Sequence, residues 1–235
     1  MTNFQTIILA AGSDEDFILN GYESKLSFPV LKNGMSMLEY TLSRYYQSQR
    51  IVLVASKENE IYLQSASVGA LIKILNKRTQ GALASIGLSL DLIEDNVPIL
   101  VAPIDGIADI EIEDFIEEML ISNCFGGAIV FRSEDSNFSY LRLKESEVIE
   151  VAEKRKIGEY ANTGIFYFKN KENLISAIEW AMVNRANLDG VWYMSLALNY
   201  FITKRLKFGA KIIDASAYHR FSNVSYAEKS RMEID

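Results

Sequence analysis

Five short apolar runs punctuate the first 132 residues: Gln5 to Ala11, Arg50 to Ala55, Leu71 to Leu75, Val97 to Ala102 and Gly127 to Phe131. Each is rich in Ile, Val, Leu or Ala and has no polar face, so as a strand it must be covered on both sides. Between the runs, apolar residues fall at helical spacing. Met35, Leu38, Leu42 and Tyr45 predict a helix over Met35 to Gln49. Further helices are expected over Glu58 to Ala66, Gly81 to about Glu94 and Phe115 to Ile121. Strands alternating with helices imply parallel pairing with a helical layer on each face. The fold class is therefore α/β, a Rossmann-like, doubly wound mixed sheet whose first half is parallel.

The rhythm changes after Arg132. Tyr140 to Lys144 and Val148 to Ala152 flank the polar turn Glu145 to Glu147 and predict a hairpin. A strand over Gly164 to Lys169, helices over Leu174 to Arg185 and Trp192 to Thr203, and a last strand over Lys211 to Asp214 follow. With three prolines and no Gly/Ser-rich linker, the expectation is one domain over 1–235. Residues 133–235 would complete the sheet begun by 1–132 and wall its cleft.

Composition excludes several functions. Asp plus Glu number 31 against 24 Lys plus Arg, a net charge of −7, which is unsuited to sequence-independent binding of nucleic acid. One cysteine, Cys124, forms no internal disulfide, and one histidine, His219, removes any site that needs two. The start, MTNFQTIILAAG, has no charged leader, and no run approaches the roughly 20 apolar residues of a membrane span. A cytoplasmic protein with no membrane partner is expected, and a homo-oligomer is compatible with the sequence.

In an open parallel sheet, ligands bind beyond the carboxyl ends of the strands where strand order reverses. That rule selects the loop after the first strand, Gly12 to Lys25, and the one after the fourth, Pro103 to Asp109. Neither the three-glycine dinucleotide fingerprint nor the lysine-bearing phosphate loop is present. Lys25 could set a point charge on a phosphate or be a solvated surface lysine. Asp105 could hold Mg²⁺ or be a turn or helix-capping aspartate.

The stretch IILAAGSDEDFILNGYESKLSFPVLKNGMSMLEYTL resembles the opening of the sugar-phosphate nucleotidyltransferases, the branch with a glycosyltransferase-A-like fold, through Ala10, Ala11, Gly12, Gly21, Tyr22, Lys25, Pro29, Gly34 and Met35. TQGALASIGLSLDLI is similar to the segment in which a glycine, here Gly81, lies against the nucleobase. PILVAPIDGIAD looks like the strand ending in the metal-binding aspartate, here Asp105. VAEKRK resembles a Glu-Lys-Pro element, matched by Glu153 and Lys154, and ANTGIFYFK the strand with a glycine, Gly164, beside the sugar.

The resemblance implies attack of a sugar phosphate, or a similar phosphorylated alcohol, on the α-phosphorus of a nucleoside triphosphate, giving a nucleotide sugar and pyrophosphate. It implies Mg²⁺ on Asp105, charge stabilisation by Lys25, nucleotide contacts from Leu9, Ala10, Ala11, Gly12 and Gly81, and acceptor contacts from Glu153, Lys154 and Gly164. Two other readings share the fold. One is a non-catalytic relative that binds a nucleotide or nucleotide sugar. The other is a glycosyltransferase, although that class wants an Asp-x-Asp motif and Asp105 and Asp109 are four apart.

Three departures stand out. Where the family's first loop carries an arginine for the triphosphate, this chain has Asp14, Glu15 and Asp16, which should repel phosphates unless the loop swings outward. The family's second metal-binding aspartate has no counterpart between Ala217 and Lys229, and Asp214 sits too early. The prolines flanking the family's lysine are replaced by Ser24 and Leu26. Among other residues, His219 is expected at the surface or cleft edge, and Tyr45, Tyr46, Trp180, Trp192 and Tyr193, at helical spacings, in core or interface packing. Cys124 is expected in the core and Glu111 to Asp114 at a helix start.

Overall fold

The computed structural model describes residues 3–63 and 69–234. Its centre is a nine-stranded mixed sheet. The first apolar run forms β1 (Gln5–Ala10), which pairs in parallel with β2 (Arg50–Ser56); β2 pairs in parallel with β3 (Ala70–Leu75). On its other side β1 pairs in parallel with β4 (Ile99–Pro103). Strand order therefore reverses at β1, and the switch point lies between the carboxyl ends of β1 and β4.

Alternate residues of these strands feed two separate cores, which explains why the runs carry no polar face. Ile8, Leu53, Leu100 and Ile129 pack into one layer. Ile7, Val52, Val101 and Val130 pack into the other. The first layer is covered by α1 (Glu15–Leu19), α2 (Met37–Arg44) and α4 (Ile112–Ile121). The second is covered by α3 (Ala82–Gly87), α5 (Lys171–Val183), α6 (Met194–Ala197) and α7 (Asn199–Thr203). The doubly wound arrangement is as expected.

Beyond β4 the sheet is mixed, as expected, but the strand order differs from the parallel run expected of the first half. β6 (Gly126–Arg132) does not neighbour β4; β9 (Tyr160–Phe168) lies between them, antiparallel to both. β10 (Phe208–Ile213) then pairs in parallel with β6. The expected hairpin is present as β7 (Tyr140–Lys144) and β8 (Glu147–Ala152), with a register shift at Arg142/Leu143. Strands from both halves of the chain thus share one sheet.

Several helices are shorter than their apolar spacing suggests. The helix expected over Met35 to Gln49 is only α2, because Ser36 closes a capping box with Glu39 at its start and the chain turns at Tyr45. The helix expected from Glu58 begins as a 3₁₀ turn over Lys57–Leu63, and residues 64–66 of that expectation lie outside the described residues. The helix expected from Gly81 to Glu94 breaks after α3 into a 3₁₀ turn at Leu90–Leu92. Trp192 to Thr203 is two short helices preceded by extended backbone at Tyr193.

Three elements were not foreseen beside α1. After β4 the chain turns at Asp105 into β5 (Gly106–Ala108), which pairs antiparallel with β11 (Tyr218–Arg220). A final helix, α8 (Val224–Ile234), packs on β11. His219, expected near the surface, is 4% exposed on β11, while Cys124 is buried and α4 starts at its acidic turn, both as expected. Among the described residues no helix is long and apolar enough to cross a membrane.

Candidate active site

Lys25 and Asp105 meet at the switch point. Lys25 follows α1 and lies between Ser24 and Leu26, all three buried. Its backbone carbonyl accepts the N–H of Phe28, and Phe28 packs edge-to-face on Phe17 and Tyr22. This aromatic support sends the Lys25 side chain inward, where Nζ donates to Asp105 Oδ2 at 2.6 Å and sits 5.8 Å from the Phe17 ring centre. The lysine side chain is 6% exposed and the aspartate 24%. Asp105 is held by its neighbours on β5 and β11, since its carbonyl accepts the N–H of Phe221 at 2.8 Å.

A cleft opens beside this pair over the carboxyl ends of β1, β2 and β3. One part, of about 370 Å³, is lined by Ala11 to Glu15, Ser56 to Glu58 and Leu75 to Arg78. A second, of about 310 Å³, runs from Arg78 through Gly81 to Ser85 and Val191. Ala11, Gly12 and Arg78 line both. A Cβ on Gly12 would come within 3.7 Å of Lys25 Nζ, an ordinary contact, so this glycine adjoins the Lys25–Asp105 pair. Leu9 is half-buried and Ala10 belongs to the core; neither lines the two cleft parts.

Gly81 has a stringent local requirement. Its φ is +118° and a Cβ there would lie 2.5 Å from the Trp192 carbonyl oxygen. The loop is stitched to that residue, with Trp192 N–H donating to the Gln80 carbonyl at 2.7 Å and Leu83 N–H to the Trp192 carbonyl at 3.1 Å.

The same short segment reaches Glu153 and Lys154. Ser195 donates its hydroxyl to Glu153 Oε2 at 2.5 Å, and Lys154 Nζ lies 5.2 Å from the Tyr193 ring centre. Burial pushes the Glu153 carboxyl above its ordinary range, opposed by the Ser195 hydrogen bond and the Lys154 charge. The hydrogen bond to the Tyr193 side chain raises Lys154. Lys154 has a φ of +48°, in the left-handed region that favours glycine. Trp192 packs on the second core, as expected, and together with Tyr193 it ties the Gly81 loop to Glu153 and Lys154. Gly164, with φ +88°, is fixed by Asn162 Oδ1, which accepts its N–H at 2.8 Å, and abuts Pro103 at the end of β4.

The acidic first loop does not aim its charges together into the cleft. Ser24 Oγ donates to Asp14 Oδ2 at 2.7 Å. Asp16 points away, accepting the N–H of Val224 at the start of α8 at 2.7 Å. Tyr22 donates to Glu228 on the same helix at 2.6 Å. Glu15 faces the cleft. In place of a second carboxylate, β11 presents Arg220 opposite Gly106, its guanidinium stacked on Phe138 and Tyr226. Asp214 is exposed at the end of β10. Among the described residues no three acidic, histidine or cysteine side chains converge as a metal site.

The fold has clear counterparts. A nucleoside-diphosphate-sugar pyrophosphorylase from Vibrio cholerae RC9 superposes with a TM-score of 0.85 at 19% identity, over 97% of this chain and 99% of that one. A Bacillus anthracis protein assigned as a glucose-1-phosphate thymidylyltransferase, solved with sucrose, gives 0.81 at 17% identity over 97% and 94%. The inositol-1-phosphate CTP transferase of T. maritima gives 0.73 at 16% identity over 100% and 97%. Among curated proteins no sequence match reaches significance. The family model described as Nucleotidyl transferase matches residues 5–191, from β1 through the cleft to the edge of the Trp192 segment, and the chain belongs to that family.

Proposed function

We propose that this nucleotidyltransferase joins a nucleoside triphosphate to a sugar phosphate or a similar phosphorylated alcohol, giving a nucleotide sugar or its analogue and pyrophosphate. The observation that carries this reading is the Trp192–Ser195 segment. It holds the Gly81 loop on one side and Glu153 and Lys154 on the other, so two sets of groups suited to different substrates are fixed relative to each other. Such fixed placement of two reactants is the main contribution a protein makes to a phosphate displacement.

In this reading the nucleotide lies over Ala11, Gly12 and Gly81, and the acceptor's phosphate pairs with Lys154. Glu153, ionised, accepts hydrogen bonds from acceptor hydroxyls. Lys25, already desolvated, sets positive charge beside the reacting phosphate, where a low local dielectric strengthens it. Among the described residues Asp105 is the carboxylate paired with Lys25 at the switch point, and a donor set of one carboxylate completed by substrate phosphates and water suits Mg²⁺. When bound there, Mg²⁺ would supply charge neutralisation at the α-phosphate. Relatives whose names specify a nucleoside-diphosphate sugar, a thymidylyl transfer and a CTP transfer support the substrate class and leave the base open.

The test is pyrophosphate release from each of ATP, CTP, GTP, UTP and dTTP with a panel of sugar 1-phosphates and phosphorylated alcohols in Mg²⁺. Release that requires one triphosphate together with one acceptor is the expected result. Binding of a nucleotide or nucleotide sugar with no release for any pair would instead make the chain a binding relative.

A further inference from the structure

We propose that Arg78, seconded by Lys77, binds the polyphosphate tail of the nucleoside triphosphate from the β3 side of the cleft; this rests on the cleft being the triphosphate site. Among the described residues Arg78 is the one charged residue that lines both parts of the cleft, which it shares with Ala11 and Gly12. A tail leaving the Gly81 end and crossing Gly12 therefore passes it. Asn76, Lys77 and Arg78 are exposed at the end of β3, and neither cation has an ion pair or hydrogen bond with another described residue. The remaining cation of the lining, Lys57, is paired with Glu60.

On the facing wall the nearby cation, Lys25, is already paired with Asp105. The first loop presents Asp14 and Glu15 to the cleft, and Asp16 is consumed by α8. A polyphosphate lying along Gly12 and Ser13 thus meets carboxylates on one side and can be neutralised from the other. Arg78 suits this role because its planar fork can grip two phosphate oxygens at once, whereas Lys77 adds a point charge. With Arg78 and Lys77 removed, Asp14, Glu15 and Glu58 outnumber the single remaining cation of the larger cleft part.

Calorimetric titration of the wild type with ATP, CTP, GTP, UTP and dTTP, each beside its monophosphate and with Mg²⁺, first identifies the nucleotide bound. For that nucleotide, Arg78→Ala should weaken the triphosphate by roughly tenfold to a hundredfold and the monophosphate by less than about threefold. Lys77→Ala should show a smaller effect of the same kind, and Arg78→Lys should recover part of the loss. Unchanged melting temperatures would show that these exposed positions leave the fold intact. Equal weakening of tri- and monophosphate, or none, overturns the assignment of Arg78 while leaving the cleft a nucleotide site. A wild type that binds no nucleotide of the panel overturns the reading of the cleft and this proposal with it.

Discussion

Asp16 Oδ2 accepts the backbone N–H of Val224 at 2.7 Å across 208 residues of sequence, closing the first amide of α8 with a carboxylate from the first loop. Asn223 caps the same helix from its own chain position, its Oδ1 accepting the N–H of Tyr226 at 2.9 Å. Together with Tyr22–Glu228, this clasps the loop that borders the cleft to the carboxyl-terminal helix.

Asp16→Ala should therefore lose about 1 kcal/mol of stability, the usual worth of a helix cap. In a domain of this size that lowers the melting temperature by roughly 2–4 °C. Asp16→Arg should lose at least as much, because a cation then faces the positive end of α8. It should not tighten triphosphate binding, since position 16 is directed at the helix. Tighter binding by that variant would mean the loop reorients when nucleotide enters.

The Lys25–Asp105 pair makes a second expectation concrete. Lys25 is nearly fully buried, so a neutral partner leaves its charge uncompensated in a poorly solvated place. Asp105→Ala should lose about 2 kcal/mol, at the low end for a buried pair because Asp105 still reaches water. Asp105→Asn should abolish turnover with a smaller stability loss, since its amide oxygen can still accept from Lys25. Adding Lys25→Met to Asp105→Asn should restore stability without restoring activity. Denaturant midpoints and pyrophosphate release on the same four proteins separate the two roles. Full activity of Asp105→Asn would remove Asp105 from the reaction.

The parts of the site that could be read from the sequence are those set by short-range pattern. Ile7 and Ile8 entering opposite cores is what an unbroken apolar strand means, and the switch point followed from the order of such strands. The direction of β9 did not follow, because GIFYFK has the same alternation whichever way it runs between β4 and β6. The direction of Asp16 stays open in the sequence for a related reason: its partner is Val224, and no local pattern distinguishes an acid facing phosphate from one capping a distant helix. Trp192 and Tyr193 fit the helical spacing of Trp192 to Thr203, yet the hydrogen bonds of Trp192 to the Gly81 loop keep this start of the segment extended. Arg78 carries no signal in the sequence, because an exposed cation after β3 matches no phosphate-binding motif.

Lys154 combines a left-handed backbone with a functional side chain, so glycine there should separate stability from activity. Lys154→Gly relieves a backbone conformation that costs a side-chain-bearing residue about 1 kcal/mol, and should leave the protein at least as stable as wild type. It also deletes the charge proposed to hold the acceptor phosphate, which should raise the acceptor KM roughly tenfold or more with little change in the nucleotide KM. Denaturant unfolding and initial rates at varied acceptor would measure both. A raised nucleotide KM instead would place Lys154 on the other substrate.

Ser195 gives a prediction in pH. Its hydroxyl lowers the Glu153 carboxyl against the upward push of burial. In Ser195→Ala that opposition is gone, so Glu153 should protonate at a higher pH than in wild type. If ionised Glu153 accepts the acceptor's hydroxyls, the acid limb of kcat/KM for the acceptor should move to higher pH, while that for nucleotide stays in place. An unmoved acceptor profile would detach Glu153 from acceptor binding.

His219 supplies the matching prediction for stability. Burial holds its imidazole below the ordinary 6.5, although Asp109 and Glu233 pull upward; Arg44 adds to the depression. Among the described residues its Nδ1 has no hydrogen-bond partner, and it lies 4.0 Å from Glu233. With the folded value below the unfolded one, the neutral ring is favoured by folding. Its contribution is complete above pH 6.5 and is lost as pH falls from there toward the lowered folded value. His219→Leu removes the titrating group without leaving a new polar atom buried, so its unfolding free energy should fall less between pH 7 and pH 5 than that of wild type. Urea titrations at both pH values measure that difference directly. Parallel losses in the two proteins would assign the acid sensitivity to carboxylate pairs such as Arg44–Asp109 and acquit the buried imidazole.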